Sequence, residues 1–81
     1  MAGSRVVTMS DRALADFHIA LARNQARRGL HRLAEARYRM AAAAYLRCGC
    51  DVFAAWAEDE ADAEAAECRP SARPNTSGLV D

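Results

Sequence analysis

Residues 29–49, GLHRLAEARYRMAAAAYLRCG, carry the clearest helical pattern of this chain. A glycine stands at each end, and glycine readily adopts the left-handed conformation that terminates helices. Between the glycines, apolar and small residues recur at helical spacing on one side: Leu30, Leu33, Ala34, Tyr38, Ala41 and Tyr45. We therefore predict an amphipathic helix from about Leu30 to Arg47.

A second amphipathic pattern precedes this stretch. Ser10 is a good helix N-cap, and two arginines fill the last turn before Gly29, as the C terminus of a helix prefers. Large apolar side chains fall at i, i+3 and i+7 between these points: Leu14, Phe17 and Leu21. The pattern predicts a helix over about 11–28 that buries these three side chains.

A third helix is predicted after Gly49. Asp51 suits its N terminus, its first turns are apolar, and its later turns mix alanine with acids. No segment has a strand pattern, and short connections between helices imply antiparallel neighbours. The predicted fold is all-α: three antiparallel helices, at about 11–28, 30–47 and 52–68, form a small up–down–up bundle or a fragment of a helical repeat.

Composition sets the class of protein. All eleven basic residues are arginine and alanine fills 20 of the 81 positions, which indicates a GC-rich, bacterial gene. No apolar run reaches the roughly 20 residues needed to cross a bilayer, and residues 1–10 lack a signal-peptide core. Three cysteines are an odd number, which argues against a disulfide framework. We expect a cytoplasmic protein with no membrane partner.

The ends of the chain differ from its centre. Residues 1–9 show no periodicity and are expected to be flexible, and Met9 also reads as a natural start. Residues 69–81 contain both prolines among small polar residues, so this tail is expected to be disordered. The predicted three-helix domain covers residues 10–68.

Charge is split along the chain. Residues 1–50 hold nine arginines against three acids, and residues 51–81 hold two arginines against eight acids. One interpretation is internal pairing at one pole of the bundle, where Arg27, Arg28, Arg32 and Arg37 would meet Glu60, Glu64 and Glu67. The alternative is a polyanion-binding face that suits nucleic acid, formed by Arg23, Arg27, Arg28, Arg32 and Arg39, with acidic helix 3 as competitor.

Small and aromatic residues follow the first turn glycine in a recognisable order: Ala34, Tyr38 and Ala41. Over about residues 15–48 the chain resembles a tetratricopeptide-type helical hairpin, although Gln25 stands where that family prefers an aromatic residue. The resemblance implies close helix contact at the small positions and the binding of a helix or peptide in a groove. The alternative is a generic alanine-rich helical bundle.

Cysteines and histidines suggest a metal site: Cys48, Cys50, Cys68, His18 and His31. Their spacing lacks the paired C-x-x-C pattern of zinc sites, so we expect buried or half-buried thiols, no metal and no cofactor. No serine, histidine and acid set and no glycine-rich phosphate loop is present, so we expect a protein that is not an enzyme.

The aromatic residues of helices 2 and 3 provide the predicted contact surface: Tyr38, Tyr45, Phe53 and Trp56. With Leu14, Phe17, Leu21 and Leu33 they also make up the expected thin core. We predict a small, non-catalytic protein–protein interaction module, an adaptor or regulator that binds another protein or itself. A nucleic-acid-binding regulator is the alternative function.

Overall fold

Three α-helices make up the part of the protein that the computed structural model describes, residues 9–68. They are α1 (Asp11–Arg27), α2 (His31–Arg47) and α3 (Asp51–Cys68). The predicted all-α fold is therefore confirmed, with α2 and α3 each shifted by one residue at the start. The predicted flexible segment 1–9, apart from Met9, and the predicted disordered tail 69–81 lie outside the described residues.

The helices begin and end at capping and turn residues that can be recognised in the sequence. The Ser10 hydroxyl accepts a hydrogen bond from the Ala13 amide at 3.1 Å, which confirms the predicted N-cap. The turns that follow α1 and α2 are closed by the same two backbone hydrogen bonds. One is donated by the amide of the turn glycine and the other by the amide of the residue after it. The Leu30 amide donates to the Gln25 carbonyl at 2.8 Å, and twenty residues later the Cys50 amide donates to the Tyr45 carbonyl at the same distance.

Gly29→Ala is expected to lower the free energy of unfolding by about 1 kcal/mol, because Gly29 has a φ of +79°. An added Cβ would meet no atom within 4 Å, so the cost is conformational rather than steric. Gly29→Asn is the matched control, since asparagine tolerates the left-handed region. Urea titrations followed by circular dichroism would show the smaller loss in the asparagine variant. Equal losses would contradict this explanation.

Both outer helices pack against α2, whereas the backbones of α1 and α3 barely approach each other. Nine of the twelve buried residues are alanine: Ala15, Ala22, Ala34, Ala41, Ala42, Ala44, Ala54, Ala57 and Ala61. The other three are Ile19, Tyr38 and Tyr45. Alanine surfaces allow close helix contact, and the two tyrosines fill the space that this leaves between α1 and α3.

The predicted buried stripe of α1 is wrong. Its buried residues are Ala15, Ile19 and Ala22, whereas Phe17 is 46 % exposed and Leu14 and Leu21 are only half-buried. The physical reason is the distance between helices, because larger side chains at this contact would hold α1 away from the alanines of α2. The same holds for three further residues of the expected core: Leu33 is 52 % exposed and Phe53 44 % exposed, and Trp56 is half-buried.

Ion pairs connect the helices, but not those that were predicted. Arg39 of α2 binds Glu58 at 2.8 Å and Asp62 at 3.2 Å, both on α3. Its hydrogen bonds to Glu35 and then to Asp62 raise the pKa of Arg39. His31 Nδ1 donates to Glu64 Oε1 at 2.6 Å. The predicted arginine cluster forms no such pair: within residues 9–68, no carboxylate lies within 4.0 Å of Arg27, Arg28, Arg32 or Arg37.

Candidate functional site

A groove of about 520 Å³ separates α1 from α3. It exists because both helices lie on α2 without closing on each other. Tyr45 of α2 forms its floor, α1 forms one wall and α3 the other. The lining residues are Asp16, Ile19, Arg23, Tyr45, Val52, Phe53 and Trp56.

The α3 wall of the groove is apolar and open to solvent. Val52 is 79 % exposed and Phe53 44 % exposed, while Trp56 is half-buried. The centre of the Phe53 ring lies 5.4 Å from the centre of the Tyr45 ring. The Trp56 and Tyr38 rings meet edge-on, with their centres 6.1 Å apart. Aromatic contacts of this kind orient the rings and hold the wall in place.

The four aromatic residues predicted to bind a partner therefore divide into two pairs. Tyr38 and Tyr45 are only 3 % and 6 % exposed, so they support the groove from below. Phe53 and Trp56 present surface to the groove. A partner in the groove would contact this second pair directly.

The α1 wall carries arginines that reach across to the aromatic rings. The Arg12 guanidinium carbon lies 5.0 Å from the centre of the Phe53 ring, and that of Arg23 lies 5.7 Å from the Trp56 ring. Both distances fall within the range of a cation–π interaction. Arg12 Nε also lies 3.7 Å from Asp16 Oδ1 on the same wall. Because a guanidinium carries five N–H donors, both arginines retain donors for a further carboxylate.

A hydrogen bond fixes the floor of the groove. The Tyr45 hydroxyl donates to Asp16 Oδ1 at 2.8 Å. Burial, followed by this bond and the charge of Asp16, raises the pKa of Tyr45 to about 12. The phenol therefore remains a donor at neutral pH, and it ties α1 to α2 beside the groove.

The arginines of the alternative polyanion face do not form one surface. Arg39 is occupied by three carboxylates, and Arg23 lies over Trp56 in the groove. Arg27, Arg28 and Arg32 lie together at the α1–α2 turn and are exposed. The structure thus divides the predicted set between the α3 contact, the groove and the turn.

The cysteines and histidines lie in separate places. The Cys48 and Cys50 sulfurs are 3.2 Å apart at the α2–α3 turn; Cys50 and Cys68 are half-buried, but Cys48 is exposed, contrary to the prediction. The reason is that Cys48 is the C-cap residue of α2 and lies in a stretch, residues 46–49, that is exposed throughout. Over the described ranges, no three His, Cys, Asp or Glu side chains are placed to hold a metal ion.

Acidification is expected to destabilise the fold through His18. Arg37 Nη1 donates to His18 Nδ1 at 3.0 Å, and burial together with the charge of Arg37 lowers the pKa of His18 below 6.5. The unfolded chain therefore takes up this proton first, so the stabilisation is complete above pH 6.5 and is lost as the pH falls through the folded pKa.

Urea titrations on either side of pH 6.5 would test this effect against His18→Gln, whose amide oxygen can still accept from Arg37. The native protein should lose more stability on acidification than the variant. His31 and Glu64 are common to both proteins, so their contribution cancels. Identical pH dependence in the two proteins would contradict the assignment.

Sequence reasoning missed the α1 wall of the groove. Arg12, Asp16, Ile19 and Arg23 follow one another at i, i+4, i+7 and i+11, which places them on one side of α1. This spacing was a signal that could have identified the wall. It was hidden by the stripe of larger side chains on the opposite side.

Comparisons with known protein families, with curated proteins and with solved structures find no match to this chain. The tetratricopeptide resemblance therefore rests on the sequence pattern. As for membranes, none of α1, α2 and α3 has the length and apolar character needed to cross one, a finding that covers residues 9–68.

Proposed function

We propose that this protein is a small, non-catalytic, cytoplasmic interaction module that binds another protein in the groove between α1 and α3. The observation that carries the proposal is the exposed aromatic wall of that groove, above all Phe53, which is 44 % exposed opposite the α1 wall with its two arginines. Exposed apolar residues gathered in a groove mark interaction sites more often than scattered ones do. As an adaptor or regulator, the module would need no catalytic group.

The partner that fits best is an amphipathic helix with carboxylates beside its apolar face. Its apolar side chains would pack on Phe53 and Trp56, since aromatic residues supply much of the contact energy in interfaces. Its carboxylates would meet Arg12 and Arg23, whose donors remain available beside the rings. The tetratricopeptide resemblance supports this proposal, because that family binds helices or peptides in grooves.

Selection of helical peptides displayed against the full chain would test the proposal. The selected peptides should be enriched in large apolar residues and in Asp or Glu, and they should change the fluorescence of Trp56, the only tryptophan. Phe53→Ser should weaken their binding by roughly tenfold or more. Selected peptides that bind the Phe53→Ser variant equally well would refute the groove as the site.

A nucleic-acid-binding regulator is the second candidate, and the arginines at the α1–α2 turn favour it. Arg27, Arg28 and Arg32 are exposed, and within residues 9–68 none has a carboxylate partner. Titration of labelled duplex and single-stranded nucleic acid should then show affinity that falls log-linearly with salt. Replacing these three arginines with glutamine should reduce that slope, whereas Arg47→Gln should not. Absence of binding at low salt would eliminate this function.

A further inference from the structure

A second apolar surface lies on the other side of α1 from the groove. It is located by the bond between Arg37 of α2 and His18 of α1, 3.0 Å long. On each helix, the residues four positions before and three positions after the bonded residue lie on the same side as that residue. These positions carry Leu14 and Leu21 around the histidine, and Leu33 and Met40 around the arginine.

We call this surface the outer face and define it by six side chains: Leu14, His18, Leu21, Leu33, Arg37 and Met40. Leu33 and Met40 are 52 % and 46 % exposed, and neighbouring Phe17 is 46 % exposed. Large apolar side chains so exposed on adjacent helices form a patch of the kind that a partner covers. Nothing in residues 9–68 packs over it.

The positive charge at the centre of the outer face, on Arg37, has no carboxylate beside it in residues 9–68. Arg37 is half-buried and, within residues 9–68, donates only to the ring of His18, with no carboxylate within 4.0 Å. An occupant should therefore bring a carboxylate flanked by apolar or small residues. Two outer faces pairing about a two-fold axis would bring two Arg37 side chains together, and like charges at an interface are strongly unfavourable.

The outward side of α3 has the complementary pattern. Asp59 is exposed, and in the described part of the chain no arginine lies within 4.0 Å of it. Ala55 and Ala63 stand four residues on either side, so they share its side of the helix. This helix carries seven acids and no basic residue. Its small residues would allow a close approach, as alanines do in the core.

We propose that the outer face of one copy of this protein binds the Ala55–Asp59–Ala63 side of α3 in a second copy, with the Asp59 carboxylate on the Arg37 guanidinium. The contact uses different surfaces on the two copies. Heterologous contacts of this kind join copies head to tail, into closed rings or open chains, so we expect assemblies larger than a dimer at high concentration. The contact is distinct from the groove proposed above, and it does not depend on that function.

Charge reversal on each side gives a direct test with the full chain. Arg37→Glu would face Asp59, and Asp59→Arg would face Arg37, so each variant alone should associate at least about tenfold more weakly than the native protein. A one-to-one mixture of the two variants should restore association, because every contact then joins opposite charges. Sedimentation velocity across the micromolar to millimolar range measures each case.

Glu67→Arg is the matched control, since it makes the same charge change on another side of α3 and should leave association at the native level. Circular dichroism confirms that each variant is folded. If Arg37→Glu fails to fold, Leu33→Asp takes its place as the variant of the outer face. Leu33 is 52 % exposed, so its replacement should leave the fold intact and still weaken association. A native protein that remains monomeric, a dimer insensitive to Asp59→Arg, or a mixture that stays monomeric would each overturn the proposal.

Discussion

Tyr45→Ala is expected to lower the free energy of unfolding by about 3–5 kcal/mol, which is comparable with the whole stability of a domain this small. Tyr45 is 6 % exposed, and it connects all three helices. Its hydroxyl donates to Asp16 Oδ1 of α1 at 2.8 Å, and the centre of its ring lies 5.4 Å from the centre of the Phe53 ring of α3. Alanine would leave a cavity where the outer helices do not touch.

Tyr45→Phe is the matched control, because it keeps the ring and removes the bond to Asp16. We expect this variant to lose about 1 kcal/mol, the usual net value of one hydrogen bond. Urea unfolding followed by circular dichroism would measure both variants. An alanine variant no less stable than the phenylalanine variant would show that the ring does not hold the helices together.

Ala41→Leu is expected to destabilise the protein by about 1–3 kcal/mol or more, although leucine is the more hydrophobic residue. Ala41 is 0 % exposed, in an interface built mainly from alanine. A larger side chain would clash or push a neighbouring helix away from α2. The measurement is the melting temperature together with the midpoint of urea unfolding.

Ala43→Leu provides the control on the same helix, since Ala43 is exposed. Alanine and leucine have similar helix propensities, so this variant should stay within about 0.5 kcal/mol of the native protein. A stable Ala41→Leu protein would mean that the helices can separate at low cost. The groove between α1 and α3 would then be adjustable rather than fixed.

The segregation of charge along the chain has a structural consequence in both proposals. Only Arg39 and His31 bind the acids of α3 within residues 9–68, so internal pairing uses a small part of the charge. Within residues 9–68, no carboxylate lies within 4.0 Å of Arg37 and no arginine within 4.0 Å of Asp59. Arg12 and Arg23 lie over the aromatic rings beside the groove. The two proposals assign these charges to different partners.

The three helices and their ends could be predicted from local signals in the sequence. The Ser10 cap, the two turn glycines and the helical spacing act over a few residues, so they can be read from neighbouring positions. Part of the site was also predictable, because Phe53 and Trp56 stand out as large aromatic residues at the start of α3. The α1 wall of the groove was not predicted, because its residues do not stand out by size or aromatic character.

Which side of each helix is buried, by contrast, depends on how the helices pack against one another. Leu14, Phe17 and Leu21 make the stronger apolar stripe, yet α1 buries the smaller residues Ala15, Ile19 and Ala22. The choice depends on the separation of two helix axes, which is set jointly by the side chains of both helices. The placement of both outer helices on α2 also leaves the groove open between α1 and α3 and leaves the outer face exposed. Because periodicity within one helix contains no information on that distance, no single stretch of the sequence could show it.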